Sequence, residues 1–213
     1  MKNHLTIKLF IAAVFVLPLS VYGIISWYEH NIQRLPVLGK PGISDGKEIQ
    51  HTISSFSFID QDGKILSEEK WKDKIVIADF FFTRCPSICP KMTMSLVRVQ
   101  ESFRKDKSIL INSFTVDPEH DDAANLKKYA ERFGIDARSW CLLTGDKKEI
   151  YKLARNSFLI TASDGDGGPG DFIHSEKLVL VDRERRIRGY YDGTSRDNVS
   201  QLIHDIKKLK YEN

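Results

Sequence analysis

Only three cysteines occur in 213 residues. That is too few for a disulfide-stapled scaffold, so a core has to come from ordinary apolar burial. Glycine (13) and proline (7) are sparse and unperiodic, which excludes a collagen-like or low-complexity chain. There is no internal repeat and no coiled-coil pattern. An excess of one charge is missing too: 32 Lys and Arg oppose 29 Asp and Glu. No run of bases is interleaved with aromatics, so nucleic acid is not an expected partner. Long apolar runs are absent in all but one place, which excludes a multi-span membrane protein. What remains is the composition of a globular chain, 41% hydrophobic and 29% charged, with length for one ordinary domain.

The exceptional place is the N-terminus. Leu9 to Trp27 are 19 uncharged residues, 15 of them hydrophobic. As a helix rising ~1.5 Å per residue, the run is about as long as a hydrocarbon core is thick. Lys2 and Lys8 precede it, and Trp27 and Tyr28 close it with aromatics suited to an interface. Residues 1–28 therefore read as an uncleaved transmembrane anchor. A cleaved signal peptide, ending near Val21-Tyr22-Gly23, is the rival. Basic residues ahead of the run place the N-terminus in the cytoplasm and the remainder outside. The expected address is a bacterial cytoplasmic membrane, with the domain facing the periplasm or cell exterior.

Residues 29–50 hold Pro36, Gly39, Pro41, Gly42 and Gly46 with little periodicity, and read as a linker. The folded domain is expected over 51–213. Phe56 to Ile59 alternates into an Asp-Gly turn, with Ile65-Leu66 returning as a hairpin. Ile75 to Phe82 is nearly all apolar and suits a central strand covered on both faces. Met92, Leu96, Val99 and Phe103 mark a helix face. Ile109 to Val116 is a second strand. Leu126, Tyr129, Ala130 and Phe133 mark a second helix, with Asp121 or Asp122 as its N-cap. Trp140 to Leu143 is a short strand. Asp146 and Glu149 resemble a capping box opening a helix through Phe158. Leu178–Val181 and Ile187–Tyr191 form a hairpin, and Val199 to Leu209 a closing amphipathic helix. The order predicts an α/β, thioredoxin-like fold with an N-terminal β-hairpin and insertions, preceded by one transmembrane helix.

The chemistry-bearing motif follows the central strand: Thr83-Arg84-Cys85-Pro86-Ser87-Ile88-Cys89-Pro90, then a helix. Positions four apart share a helix face. Cys85 and Cys89 placed there can close a disulfide or hold one metal ion between two sulfurs. A helix N-terminus favours the thiolate. Two thiolates suit Cu(I), or Zn with further ligands. A third donor has to come from elsewhere, and His174 is the best placed. It ends a Gly- and Asp-rich loop, residues 161–173, and precedes a strand. The loop resembles a calcium site only superficially, since Gly168 stands where Asp or Asn is wanted. His120, after Val116-Asp117-Pro118-Glu119, is a weaker candidate. His4, His30, His51 and His204 are weaker still. Cys141, in an apolar strand, reads as a buried inert thiol.

From about Phe56 onward the chain resembles the Sco/SenC family of membrane-anchored, thioredoxin-like copper proteins. The resemblance rests on Asp79 to Pro90, with C-P-x-x-C-P after a strand ending in Phe-Thr, on Val116-Asp117-Pro118, on Leu143-Thr144-Gly145 and on His174-Ser175. It implies that Cys85, Cys89 and His174 bind copper and that Asp117 supports the site. It also implies a copper chaperone serving the binuclear copper centre of cytochrome c oxidase. One departure stands out: many members carry an acid directly before the histidine, where this chain has Ile173 and places Asp171 two residues earlier.

Two functions are thus expected to compete. A chaperone would hold copper and pass it to an acceptor, the copper-centre subunit of cytochrome c oxidase or another copper acceptor. A thiol-disulfide oxidoreductase would use the same cysteines to keep target thiols reduced, with no need of the histidine. A thiol peroxidase is a weaker third reading, because it needs no C-x-x-x-C pair.

Overall fold

The computed structural model describes residues 2–32, 34–44, 47–160 and 175–212. They form two units, one ending at Arg34 and one beginning at Leu35.

The first unit is helix α1, Lys2–Ile32, with Pro18 inside it. The side chains described along it, Ile11 and those from Ala13 to Tyr28, are all exposed. The run is helical, as the sequence predicts. Among the described residues, however, no helix is long and apolar enough to cross a membrane. The transmembrane expectation for Leu9–Trp27 therefore gains no support here.

The second unit opens with a small hairpin, β1 (Gly42–Ser44) against β2 (Lys47–Ile49). Its main body is a seven-stranded sheet in the order β4-β3-β7-β6-β5-β8-β9. These strands are β3 (Ser57–Asp60), β4 (Ile65–Ser67), β5 (Ile75–Phe81), β6 (Ile109–Thr115), β7 (Trp140–Thr144), β8 (Lys177–Val181) and β9 (Ile187–Asp192). The central β5, β6 and β7 are parallel, and the flanking strands are antiparallel. Helices α2 (Ile88–Ser102), α3 (Ala123–Phe133), α4 (Lys147–Lys152) and α5 (Arg196–Tyr211) complete the unit.

Every residue of β5 and β6 is buried. Successive side chains point to opposite faces, so each central strand feeds two cores. Val76, Ala78 and Phe80 pack with Trp71, Phe114, Tyr151 and Phe158 on one face. Ile75, Ile77 and Phe81 pack on the other with Met92, Leu96 and Val99 of α2 and with Val199, Leu202 and Ile206 of α5. This is the α/β sheet architecture that the strand and helix pattern predicts.

Two boundaries differ from the sequence reading. The helix expected through Phe158 leaves α geometry at Lys152 and continues as a π turn, Leu153–Ser157. Residues of the stretch read as a linker also join the folded unit. Leu38 pairs with Ile187, and Arg188 donates to the carbonyls of Leu35 and Pro36. Arg188 is buried, so its donors need partners, and the chain at 35–36 supplies two of them.

Candidate metal and redox site

β5 ends at Phe81 and α2 begins at Ile88, so Cys85 lies in the connecting loop and Cys89 in the first helical turn. Pro90 is also in that turn, where a missing N–H costs nothing. The Cys89 N–H donates to the Cys85 sulfur at 3.4 Å. The two thiols are therefore neighbours at a helix N-terminus, with Cys85 half-buried and Cys89 buried.

The two sulfurs differ in acidity. Burial pushes the Cys85 thiol up, but backbone N–H groups of Cys89, Ser87 and Ile88 outweigh it and hold the thiol below its ordinary value. Cys89 goes the other way. Burial pushes it up to about 12, with the Cys85 sulfur and the Asp79 carboxylate adding to the rise. The Cys85 thiol is thus the more acidic of the two, and Cys89 the more firmly protonated.

Asp79 belongs to this site although it sits within β5. It alternates with Ile77 and Phe81 and so faces the α2 side of the sheet. It is buried, accepts a hydrogen bond from the Ser113 hydroxyl, and is pushed up to about 7 by burial. Ser113 in turn accepts from the Trp140 indole at 2.9 Å. Nothing in the sequence marked Asp79 as more than part of a family block.

The loop that carries Cys85 is clamped by Asp121. This carboxylate is fully buried and accepts from the Thr83 amide at 3.0 Å, the Thr115 hydroxyl at 2.6 Å and the Thr83 hydroxyl. The sequence offered Asp121 or Asp122 as an N-cap. The structure divides the roles: Asp122 caps α3 through the Asn125 amide, and Asp121 holds the cysteine loop. Asp117, the predicted supporting acid, is buried beside β6 and pairs with Arg84 at 2.7 Å. Arg84 directly precedes Cys85, so Asp117 reaches the site through that guanidinium.

A cleft of about 570 Å³ opens at the cysteine pair. Phe82, Ile88, Ile160 and Tyr190 give it apolar walls, with Ser175, Glu176 and Lys177 at one side. His174 lies outside the described residues, as does the loop that precedes it. Among the described residues no group of three or more His, Cys, Asp and Glu side chains gathers to hold a metal ion. His51 bonds instead to the Ser157 carbonyl at 2.7 Å, and the His120 carbonyl takes a bond from Asn125. Cys141 is buried in β7, with Lys70 Nζ 3.6 Å from its sulfur.

Comparison with known proteins gives a consistent result. The sequence model of the SCO1/SenC family matches residues 44–210. The SCO1 protein homolog of Bacillus subtilis is 32% identical over 161 residues, covering 75% of this chain and 83% of that one. A solved structure of BsSco, a member of the Sco family of cytochrome c oxidase assembly proteins, superposes with a TM-score of 0.67. It is 30% identical and covers 85% of this chain and 100% of its own. The copper-bound ScoI of Bradyrhizobium japonicum has a TM-score of 0.60 at 26% identity, covering 74% of this chain and 99% of its own.

Proposed function

The chain belongs to the SCO1/SenC family, and from that premise we propose that it binds copper as cargo and delivers it during cytochrome c oxidase assembly. The observation that carries this reading is the pairing of Cys85 and Cys89 at the start of α2, open to the cleft. Two adjacent sulfurs form a soft donor pair suited to copper, and one of them is already biased toward the thiolate. His174 is proposed as the third donor. The support for it is the family resemblance at His174-Ser175 and the chemistry of an imidazole beside two thiolates. Asp117 is proposed as a positioning residue, acting through Arg84.

The acceptor is proposed to be the binuclear copper centre of cytochrome c oxidase. Location is proposed at a bacterial cytoplasmic membrane, with the folded unit on the periplasmic or outer side. Twelve large apolar side chains of α1 between Ile11 and Tyr28 are exposed in the structure. Leaving them in water is unfavourable by ~25 cal/mol per Å², so a membrane is their natural cover.

A second reading is favoured by the acidity difference between the two thiols. In thiol-disulfide exchange, the half-buried Cys85, as its thiolate, attacks a target disulfide from the cleft and forms a mixed disulfide, releasing one target thiolate. Cys89 loses its proton, attacks the Cys85 sulfur and releases the second, leaving a Cys85–Cys89 disulfide. The target is reduced by two electrons and this chain oxidised by two.

Anaerobic titration of the reduced protein with Cu(I), against a competing chelator, tests the assignment. One tightly held copper per chain is expected, and Cys85→Ser, Cys89→Ser and His174→Ala should each weaken it. Failure to retain copper, with a readily cycling disulfide, would move the function to the exchange reaction. Unchanged affinity in the His174 variant would remove that residue from the ligand set.

A further inference from the structure

The folded unit carries opposite charges at its two ends. At one end β5 and β6 begin and β8 finishes, with Ile75 opposite Ile109 and Val76 opposite Val181. Segments 68–74, 104–108, 182–186 and 207–212 meet there. Lys74 Nζ bonds the Lys107 carbonyl, Lys210 pairs with Asp106, and Arg183 bonds the carbonyls of Leu209 and Lys210. Lys72, Arg183 and Arg185 line a common cavity with Glu68, Glu69 and Trp71. Together the four segments hold twelve Lys and Arg against seven Asp and Glu. Lys72, Lys105, Lys107 and Lys207 among them are exposed. The neighbouring α3–β7 turn is neutral, with Arg138 paired to Asp136. Nearer the β4 edge, Asp62 is paired to Lys127.

The cysteine end has the reverse balance. Segments 83–91, 116–122, 175–177 and 192–197 hold four bases against seven acids. The start of α4 at that end, residues 145–149, is neutral.

The chain enters the folded unit at the basic end. Leu35 and Pro36 are held by Arg188, and Leu38 bridges Ile187, the residue after segment 182–186. The apolar α1 directly precedes this entry point in sequence.

We propose that the basic end is a docking surface for an anionic lipid bilayer, so that the unit rests on the headgroups with its cysteine cleft turned away from them. The proposal rests on the membrane-attachment reading above for how the unit is brought to the bilayer. Bases near an anionic leaflet are attracted to it over about a Debye length, ~10 Å at 0.1 M salt. The acidic end is repelled by the same surface, so the two ends act as one torque. A cleft facing away from the lipid is accessible to an acceptor domain standing above the membrane.

The test uses the full chain on vesicles of phosphatidylcholine alone and of phosphatidylcholine with about 30% phosphatidylglycerol. Flotation reads attachment, and the rate of lysine acylation by a water-soluble ester, followed residue by residue, reads docking. Attachment through α1 predicts flotation with both vesicle types. Docking predicts that Lys72, Lys105, Lys107 and Lys207 react about threefold or more slowly on anionic than on neutral vesicles, and that about 0.5 M salt removes the difference. Lys128 and Lys148, on α3 and α4, should not respond. The exposed-site variant K105E/K207E should lose the protection of Lys72 and Lys107, and K128E/K148E should keep it. Equal acylation on the two vesicle types, or protection that survives K105E/K207E, overturns docking. Loss of flotation on neutral vesicles alone overturns attachment through α1, and docking then stands if anionic flotation depends on Lys105 and Lys207. Flotation with neither vesicle overturns both.

Discussion

Cys85 and Cys89 are identical side chains four residues apart, yet their surroundings separate them. Three backbone N–H groups favour the Cys85 anion, whereas burial keeps Cys89 protonated. Alkylation of the reduced protein should therefore reach Cys85 first, with a half-maximal rate at a lower pH than for Cys89. Mass spectrometry of partly modified protein would check this, and prior modification of Cys89 would contradict it. Asp79 sets a second pH dependence. Its folded carboxyl titrates near 7 against an ordinary value of 3.8. The folded state thus binds more protons than the unfolded state between those values. Stability from this group is complete below about pH 4 and is lost as pH rises through about 7. Asp79→Asn should match the parent near pH 4 and exceed it at pH 8 by up to about 4 kcal/mol, measured by denaturant unfolding at both pH values. Asp121 acts by geometry. Removing its three accepting contacts in Asp121→Ala should cost about 3 kcal/mol and loosen the Thr83–Cys85 loop. Unfolding measurements and a weakened copper affinity would register the two effects together.

At the scale of elements, both ends of α3 and the start of α4 lie where local chemistry says they should. Asp122 opens α3 by accepting from Asn125, and Gly134 closes it with φ of 67°, in the left-handed region. A Cβ at Gly134 meets nothing within 4 Å, so the cost of Gly134→Ala is conformational alone. It should be about 1 kcal/mol, visible as a small drop in the unfolding midpoint with no change in copper affinity. Asp146 caps α4 through the Glu149 amide, the pattern already visible in the sequence. The π turn that follows was not visible. Leu153, Ala154 and Phe158 carry ordinary helical spacing, and only their packing against Trp71, Phe80 and Phe114 selects the wider turn. The central strands were readable for the opposite reason. A strand buried on both faces must be apolar nearly throughout, and Ile75–Phe81 is, apart from Asp79.

For the whole molecule, the point at which folding begins has a measurable consequence. The sequence suggests a start near His51, because residues 29–50 are rich in Pro and Gly. The structure runs the folded unit from Leu35. A truncation beginning at Leu35 keeps the carbonyls that serve Arg188 and the Leu38–Ile187 bridge. One beginning at His51 removes both, and should be less stable by about 2 kcal/mol. Comparing the two truncations by thermal unfolding would check this, and equal midpoints would show that the 35–50 stretch contributes nothing.

Periodicity, capping pairs and the C-x-x-x-C spacing were enough to determine the α/β order and to single out Cys85 and Cys89, because those signals are local. Strand period, helix period and cap chemistry each act within a few residues of one another. His174 stood out from its position between a Gly-rich loop and a strand, and the resemblance strengthened it, but its distance from the cysteines is a matter of chain return. The roles of Asp79 and Asp121, the acidity difference between the two thiols, and the gathering of bases at the end where the chain enters depend on groups far apart in sequence. Burial and electrostatic strength follow from what surrounds a group in space, and tertiary packing alone decides that.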